Sequence, residues 1–138
     1  RVGISVINLV RAAATVESAM GQAAGVPEGP GVVIVEIGGT EGLGGASPAD
    51  FCRRLDALLG SIRRRGASIA LFELPLPPLM DEFGRAQRDL ARKHDALLIP
   101  KRVLSSVLGL DGGTIDGIHL SARGHEALAR AVGEMLAR

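Results

Sequence analysis

A parallel, doubly wound α/β sheet is the fold the sequence predicts. Three observations carry this. Short β-branched or continuously apolar runs alternate with segments of helical periodicity, four times over. The strongest run, residues 32–37 (Val-Val-Ile-Val-Glu-Ile), is apolar nearly throughout, as expected of a parallel strand buried on both faces. The links between elements are short, which favours crossover connections within one sheet. The 138 residues fit one domain covering 1–138, and 46% hydrophobic residues with a mean hydropathy of +0.26 can bury a core.

Residues 3–10 (Gly-Ile-Ser-Val-Ile-Asn-Leu-Val) are short and β-branched and read as the first strand. Residues 15–24 read as a helix with Thr15 as its N-cap. The breakers Gly25, Pro27, Gly29, Pro30 and Gly31 make a loop ahead of the second strand at 32–37. That strand opens into a glycine-rich loop at 38–45. Ser47-Pro48-Ala49-Asp50 is a helix start, with a capping serine, proline at the first position and an acid in the first turn. This helix runs to about Arg65, and Gly66 closes it. Residues 67–74 form a third strand. Pro75, Pro77 and Pro78 exclude helix or central strand there, so 75–80 is a loop at that strand's C-terminal end. A helix at 83–94, a strand at 96–99 stopped by Pro100, a short helix at 102–108 and a last helix at 122–137 capped by Ser121 complete the chain. In such sheets ligands bind beyond the C-terminal ends of the strands. The loops at 38–45, 75–80 and 116–119 all fall on that side.

Composition excludes several classes. Sixteen basic and fifteen acidic residues leave a net charge of +1, which is no electrostatic footprint for nucleic acid. Three phenylalanines (Phe51, Phe72, Phe83) and no Trp or Tyr leave no stacking platform for single strands, and the core must be aliphatic. Arg63-Arg64-Arg65 reads as the cationic last turn of a helix. Cys52 alone excludes an intrachain disulfide and reads as a small core hydrophobe. No apolar run reaches the roughly 18–20 residues of a membrane span. No metal or organic cofactor is implied.

The segment that points to chemistry is Asp116-Gly117-Ile118-His119, just ahead of the last helix. An acid three residues before a histidine can accept a hydrogen bond from one ring nitrogen and leave the other facing outward as a base. The loop at Gly38-Gly39-Thr40-Glu41 follows a buried strand, where glycines let backbone N–H groups approach a ligand. Phosphate binding is disfavoured, because neither G-x-x-x-x-G-K-[ST] nor a G-x-G-x-x-G at the strand end is present. An oxyanion site and a loop without chemistry remain.

Taken in order, these segments resemble the SGNH (GDSL-type) hydrolase family, and within it the small lysophospholipase, thioesterase and arylesterase branch. Residues 35–43 resemble the family's glycine-glycine-asparagine-aspartate segment. Asp116-Gly117-Ile118-His119 matches its C-terminal catalytic signature residue for residue. Asn8, before the first helix, resembles its second segment. The resemblance implies a three-layer, flavodoxin-like doubly wound sheet and hydrolysis of a small-molecule ester or thioester through an acyl-enzyme. It makes His119 the general base and Asp116 its orienting acid, with Gly39, Thr40 and Ala13 at the oxyanion positions.

The sequence departs from the family at functional positions. The Gly-Asp-Ser segment that carries the nucleophile is absent from these residues. Thr40 replaces the oxyanion asparagine; a hydroxyl is a shorter donor than an amide, and losing one such donor typically lowers the rate by about 10²–10³. Ala13 stands at the oxyanion glycine and resists a positive φ. Glu41 replaces the family's aspartate and reads as structural. The family's first strand lies inside the sheet, and its absence would leave backbone groups unpaired at about 1–3 kcal/mol each. The expectation is therefore an N-terminally incomplete domain, with the first strand and the serine supplied by an upstream segment or a second polypeptide. The alternative is a catalytically weak or inactive relative that binds or scaffolds. A weaker one is a flavodoxin-like phosphate binder. His94 reads as a helix-end histidine and His125 as a surface residue. Leu76, Leu79 and Met80 are candidates to line an acyl pocket.

Overall fold

The computed structural model describes residues 4–138. Among these, three β-branched or aliphatic runs pair into one parallel sheet in the order β1-β2-β3: Val32–Val35 (β1), Ser68–Phe72 (β2) and Leu97–Ile99 (β3). Val32 faces Ser68 and Val35 faces Leu71 across the first pair; Ala70 faces Leu97 and Phe72 faces Ile99 across the second.

Side chains alternate along the central strand, so β2 feeds two cores. Ile69 and Leu71 point into one, with Val16 and Ala23 of helix α1 (Val16–Ala23), Phe51, Leu55, Leu58, Leu59 and Ile62 of α3 (Pro48–Arg64), and Phe83 and Leu90 of α4 (Asp81–Lys93). Ala70 and Phe72 point into the other, where Ile99 and Val132 join Val103, Leu104 and Leu128 of helices α5 (Lys101–Leu108) and α6 (Ala122–Leu136). The result is the expected three layers, helices on both faces of a parallel sheet. The buried positions of α3 recur at three and four residues, which puts one stripe on the sheet. Phe51 and Phe83 stack in a tilted pair with ring centroids 5.0 Å apart.

The caps are those the sequence predicts. Thr15 accepts from the Ser18 N–H while the Ser18 hydroxyl bonds back to Thr15, a reciprocal capping box. Ser47 caps α3, Pro48 opens it, and Gly66 turns the chain out of it at φ +88°. Ser121 caps α6.

Three expectations are corrected. Residues 4–10 form no strand; Gly3 lies outside the described residues. Asn8 Oδ1 accepts the Val10 N–H at 2.9 Å, a local turn that competes with an extended ladder. Ile4, Val6, Ile7 and Val10 are exposed. Strand β1 is shorter than 32–37 and is not buried on both faces: Val32 is 57% and Ile34 50% exposed, because β2 pairs with one of its edges and no described residue pairs with the other. Residues 38–45 are not an open loop. Gly38 turns the chain at φ +116°, after which Gly39–Leu43 close a short helix, α2, through Gly42 N–H to Gly38 O and Gly44 N–H to Thr40 O, both 2.9 Å.

Candidate active site

His119 and Asp116 are brought together by a tight loop. Gly117 takes φ +91°, which a side chain would oppose, and its N–H donates to Thr114 Oγ1 at 3.2 Å. The loop is closed across its neck: Thr114 and Leu120 form an antiparallel bridge, with Ile115 N–H donating to His119 O at 2.8 Å. Ser121 anchors the far side; its hydroxyl donates to Gly112 O at 2.6 Å and accepts the Gly124 N–H at 3.1 Å.

Inside this frame Asp116 is used at both oxygens. Oδ1 accepts the backbone N–H groups of His119 (2.8 Å) and Ile118 (3.0 Å), and Oδ2 lies 2.7 Å from His119 Nδ1. The His119 N–H first, then its ring, then the Ile118 N–H hold the Asp116 carboxyl well below the usual carboxylate range. An ionised Asp116 requires a proton on Nδ1, so Nε2 carries the free lone pair. The His119 side chain is 78% exposed, open to a reactant.

Gly39 and Thr40 begin α2, where the first N–H groups of a helix have no partner within it. Neither amide, nor that of Ala13, donates to a backbone carbonyl among the described residues, and Thr40 Oγ1 makes no hydrogen bond there. Ala13 sits at φ +55°, the left-handed region the sequence expects it to resist. Glu41, one residue past Thr40, reaches α1 and accepts the Val16 N–H through Oε1.

The turn at Gly38 is positioned by residues the sequence reading did not single out. Gln87 is fully buried; its Oε1 accepts Leu74 N–H at 3.0 Å and its Nε2 donates to Ile37 O at 3.1 Å, so α4 pins the ends of two loops. A polar residue on an otherwise apolar helix stripe, between Phe83 and Leu90, is the signal that could have found it. Glu73, buried after β2, pairs with Arg88 and accepts Lys101 N–H at 3.2 Å. Phe51 presses so closely on Gly38 that a Cβ there would lie 2.9 Å from the ring.

Other candidates fall outside this set. His94 is tied to Asp56 (Nε2–Oδ1 2.6 Å) and His125 is exposed. Cys52 is half-buried against the larger core. Leu76 and Met80 are half-buried under α2, and Leu79 is exposed. Among the described residues no hydrogen bond joins His119 to Ala13, Gly39 or Thr40, and no serine hydroxyl bonds its ring. A hollow of about 380 Å³ beside Arg88, Arg92 and Leu98 touches none of the candidate residues. Among the described residues no helix is long and apolar enough to cross a membrane.

Comparison with known proteins gives this arrangement relatives. No family model matches the chain. Esterase TesA of Pseudomonas aeruginosa is 33% identical over 98 residues, 67% of this chain and 48% of that protein, so the chain spans about half the length of the curated relative it matches. The crystal structure of TesA superposes with a TM-score of 0.76 at 27% identity, over 88% of this chain and 72% of that one. AlinE4, an SGNH-hydrolase family esterase, superposes with a TM-score of 0.61 at 28% identity, over 91% and 71%. With the layered parallel sheet and the Asp116–His119 loop ahead of the last helix, these likenesses give the chain an α/β fold similar to that of SGNH-hydrolase family esterases.

Proposed function

We propose that this chain serves hydrolysis of carboxylic esters or thioesters through an acyl-enzyme, as one SGNH-type domain. The observation that carries the reading is Asp116 gripping His119 at both backbone and ring, which leaves Nε2 exposed as a base. Relatives named as esterases support the substrate class.

In this mechanism a serine hydroxyl attacks the acyl carbonyl while His119 Nε2 takes its proton. The Asp116 carboxylate stabilises the imidazolium and keeps Nδ1 protonated. The amides of Ala13 and Gly39 and the Thr40 hydroxyl donate to the oxygen that gains charge. The imidazolium then protonates the leaving alcohol or thiol. Water, deprotonated by the same Nε2, cleaves the acyl-enzyme and restores the serine.

The serine, on this reading, arrives with a further strand, from an upstream segment or a second polypeptide, that pairs with the outer edge of β1. The exposed apolar side chains of Val32 and Ile34, and those of Ile4, Val6, Ile7 and Val10, support it. A second reading, an inactive relative that binds or scaffolds, is favoured by one observation: no serine hydroxyl among the described residues bonds His119.

Intact mass before and after treatment with a fluorophosphonate separates the two. One phosphonyl adduct that is lost in His119→Ala supports the triad, and the labelled peptide locates the serine. An absent adduct on folded protein prepared as its full chain with any co-purifying polypeptide overturns the hydrolase reading and leaves the binding domain.

A further inference from the structure

The two halves of the proposed oxyanion site come from different elements. Ala13 lies in the loop before α1, and Gly39 and Thr40 open α2. Among the described residues one hydrogen bond joins residues 11–16 to residues 38–44, and it is Glu41 Oε1 accepting the Val16 N–H. We infer that Glu41 is a positioning residue: by gripping the start of α1 from α2, it holds Ala13 at a fixed separation from Thr40. Its catalytic meaning rests on the acyl-transfer reading above; the grip itself rests on geometry alone.

Three observations support this over plain scaffolding. First, the grip lands three residues past Ala13, whose φ of +55° is a conformation alanine adopts only when its surroundings impose it. The capping box of Thr15 and Ser18 orders the start of α1, and only Ala14 and Thr15 separate that anchored Val16 from Ala13. Second, Glu41 directly follows Thr40 on the same helical turn, so the grip and the Thr40 hydroxyl move together. Third, the second oxygen of Glu41, Oε2, is buried and accepts no hydrogen bond from any described residue. A half-satisfied buried carboxylate is poorly suited to stability alone. What it does have is reach and an ionic acceptor at a helix N-terminus, where negative charge is favoured.

Glutamine keeps the reach and one acceptor oxygen. Aspartate keeps the charge and lacks the reach. The amide ¹H–¹⁵N signals of Val16, Ala13 and Thr40 report the grip without any need for turnover. In Glu41→Ala the Val16 signal should move upfield and those of Ala13 and Thr40 should move with it; Glu41→Gln should restore all three. Glu17→Gln, which removes the neighbouring surface carboxylate that pairs with Arg54, should leave Ala13 unmoved. Kinetically, kcat for ester hydrolysis should fall about 10- to 100-fold in Glu41→Ala with KM within about twofold, and Glu41→Gln should recover it. Should the alanine variant not fold, Glu41→Asp reads the same quantities. An unmoved Ala13 signal in Glu41→Ala or Glu41→Asp overturns the inference. So does wild-type kcat in either variant. Wild-type protein that hydrolyses no ester overturns the acyl-transfer reading instead, and the amide signals then decide the grip by themselves.

Discussion

Asp116 holds His119 twice, once at its backbone N–H (2.8 Å) and once at ring Nδ1 (2.7 Å), and this double hold selects the tautomer. In Asp116→Asn the amide oxygen can still accept the backbone N–H groups, but the NH₂ cannot accept from Nδ1–H. The ring must then present Nδ1 as acceptor and carry its proton on Nε2. On the proposed mechanism, kcat should fall by on the order of 10³–10⁴ with little change in KM. Nitrogen chemical shifts of the ring should show the tautomer reversed. An Asn variant with wild-type turnover would remove Asp116 from the mechanism.

The same hold sets a pH dependence. The folded Asp116 carboxyl lies below its unfolded value, so its contribution is present above about pH 3.9 and is lost as pH falls through the folded value. The loop should therefore keep its geometry in mild acid. A carbon-detected titration should place the Asp116 midpoint below that of a free aspartate; a midpoint near 3.9 would contradict the three hydrogen bonds.

A second acid–histidine pair is structural. Asp56 of α3 accepts from Lys93 Nζ (2.6 Å) and lies 2.6 Å from His94 Nε2 at the end of α4. Lys93 first, then His94, hold the Asp56 carboxyl below its ordinary range. The clasp is stabilising above about pH 3.9 and fades as pH falls through the lower folded value. Asp56→Asn should lose about 0.5–1 kcal/mol at pH 6, and the difference from wild type should shrink towards zero in strong acid. Urea melts at the two pH values measure it; an equal difference at both would mean the charge is not involved.

Gln87 should be worth more. Gln87→Leu leaves Leu74 N–H and Ile37 O buried without partners, at about 1–3 kcal/mol each. The midpoint of urea unfolding should fall accordingly, and the Leu74 amide should lose protection from hydrogen exchange. A neutral substitution would show that the Gly38 turn holds without it.

Ala13→Gly should relieve the left-handed strain, by about 1 kcal/mol before the entropy of a freer unfolded chain is subtracted. Thermal melts would show a small rise or no change. A clear loss of stability would mean the Ala13 methyl makes a contact that matters.

The parts of this chain that were legible in its sequence are those whose causes are local. Thr15, Ser47 and Ser121 announce helix starts because a cap acts within three residues. Asp116 and His119 are legible as a pair for the same reason, being three apart on one turn. Val32 to Val35 was read correctly as strand and wrongly as fully buried, since an apolar run states what a strand can pack against and not what is beside it. Residues 4–10 have strand composition, yet a ladder needs a neighbour, and Asn8 supplies a local alternative. Gln87 was missed, and Glu41 was read as structural without its partner, because their partners Ile37 and Val16 lie 50 and 25 residues away and spacing in sequence carries no trace of that.

The outer edge of β1, which no described residue pairs, has a consequence for handling the protein. Val-Val-Ile-Val has no charge, no proline and no bulge, which are the devices that keep edge strands from recruiting one another. Held at high concentration with that edge uncovered, molecules will add strand to strand and precipitate as β-rich aggregates. A charged residue in place of Val32 or Ile34 would act as a gatekeeper against it.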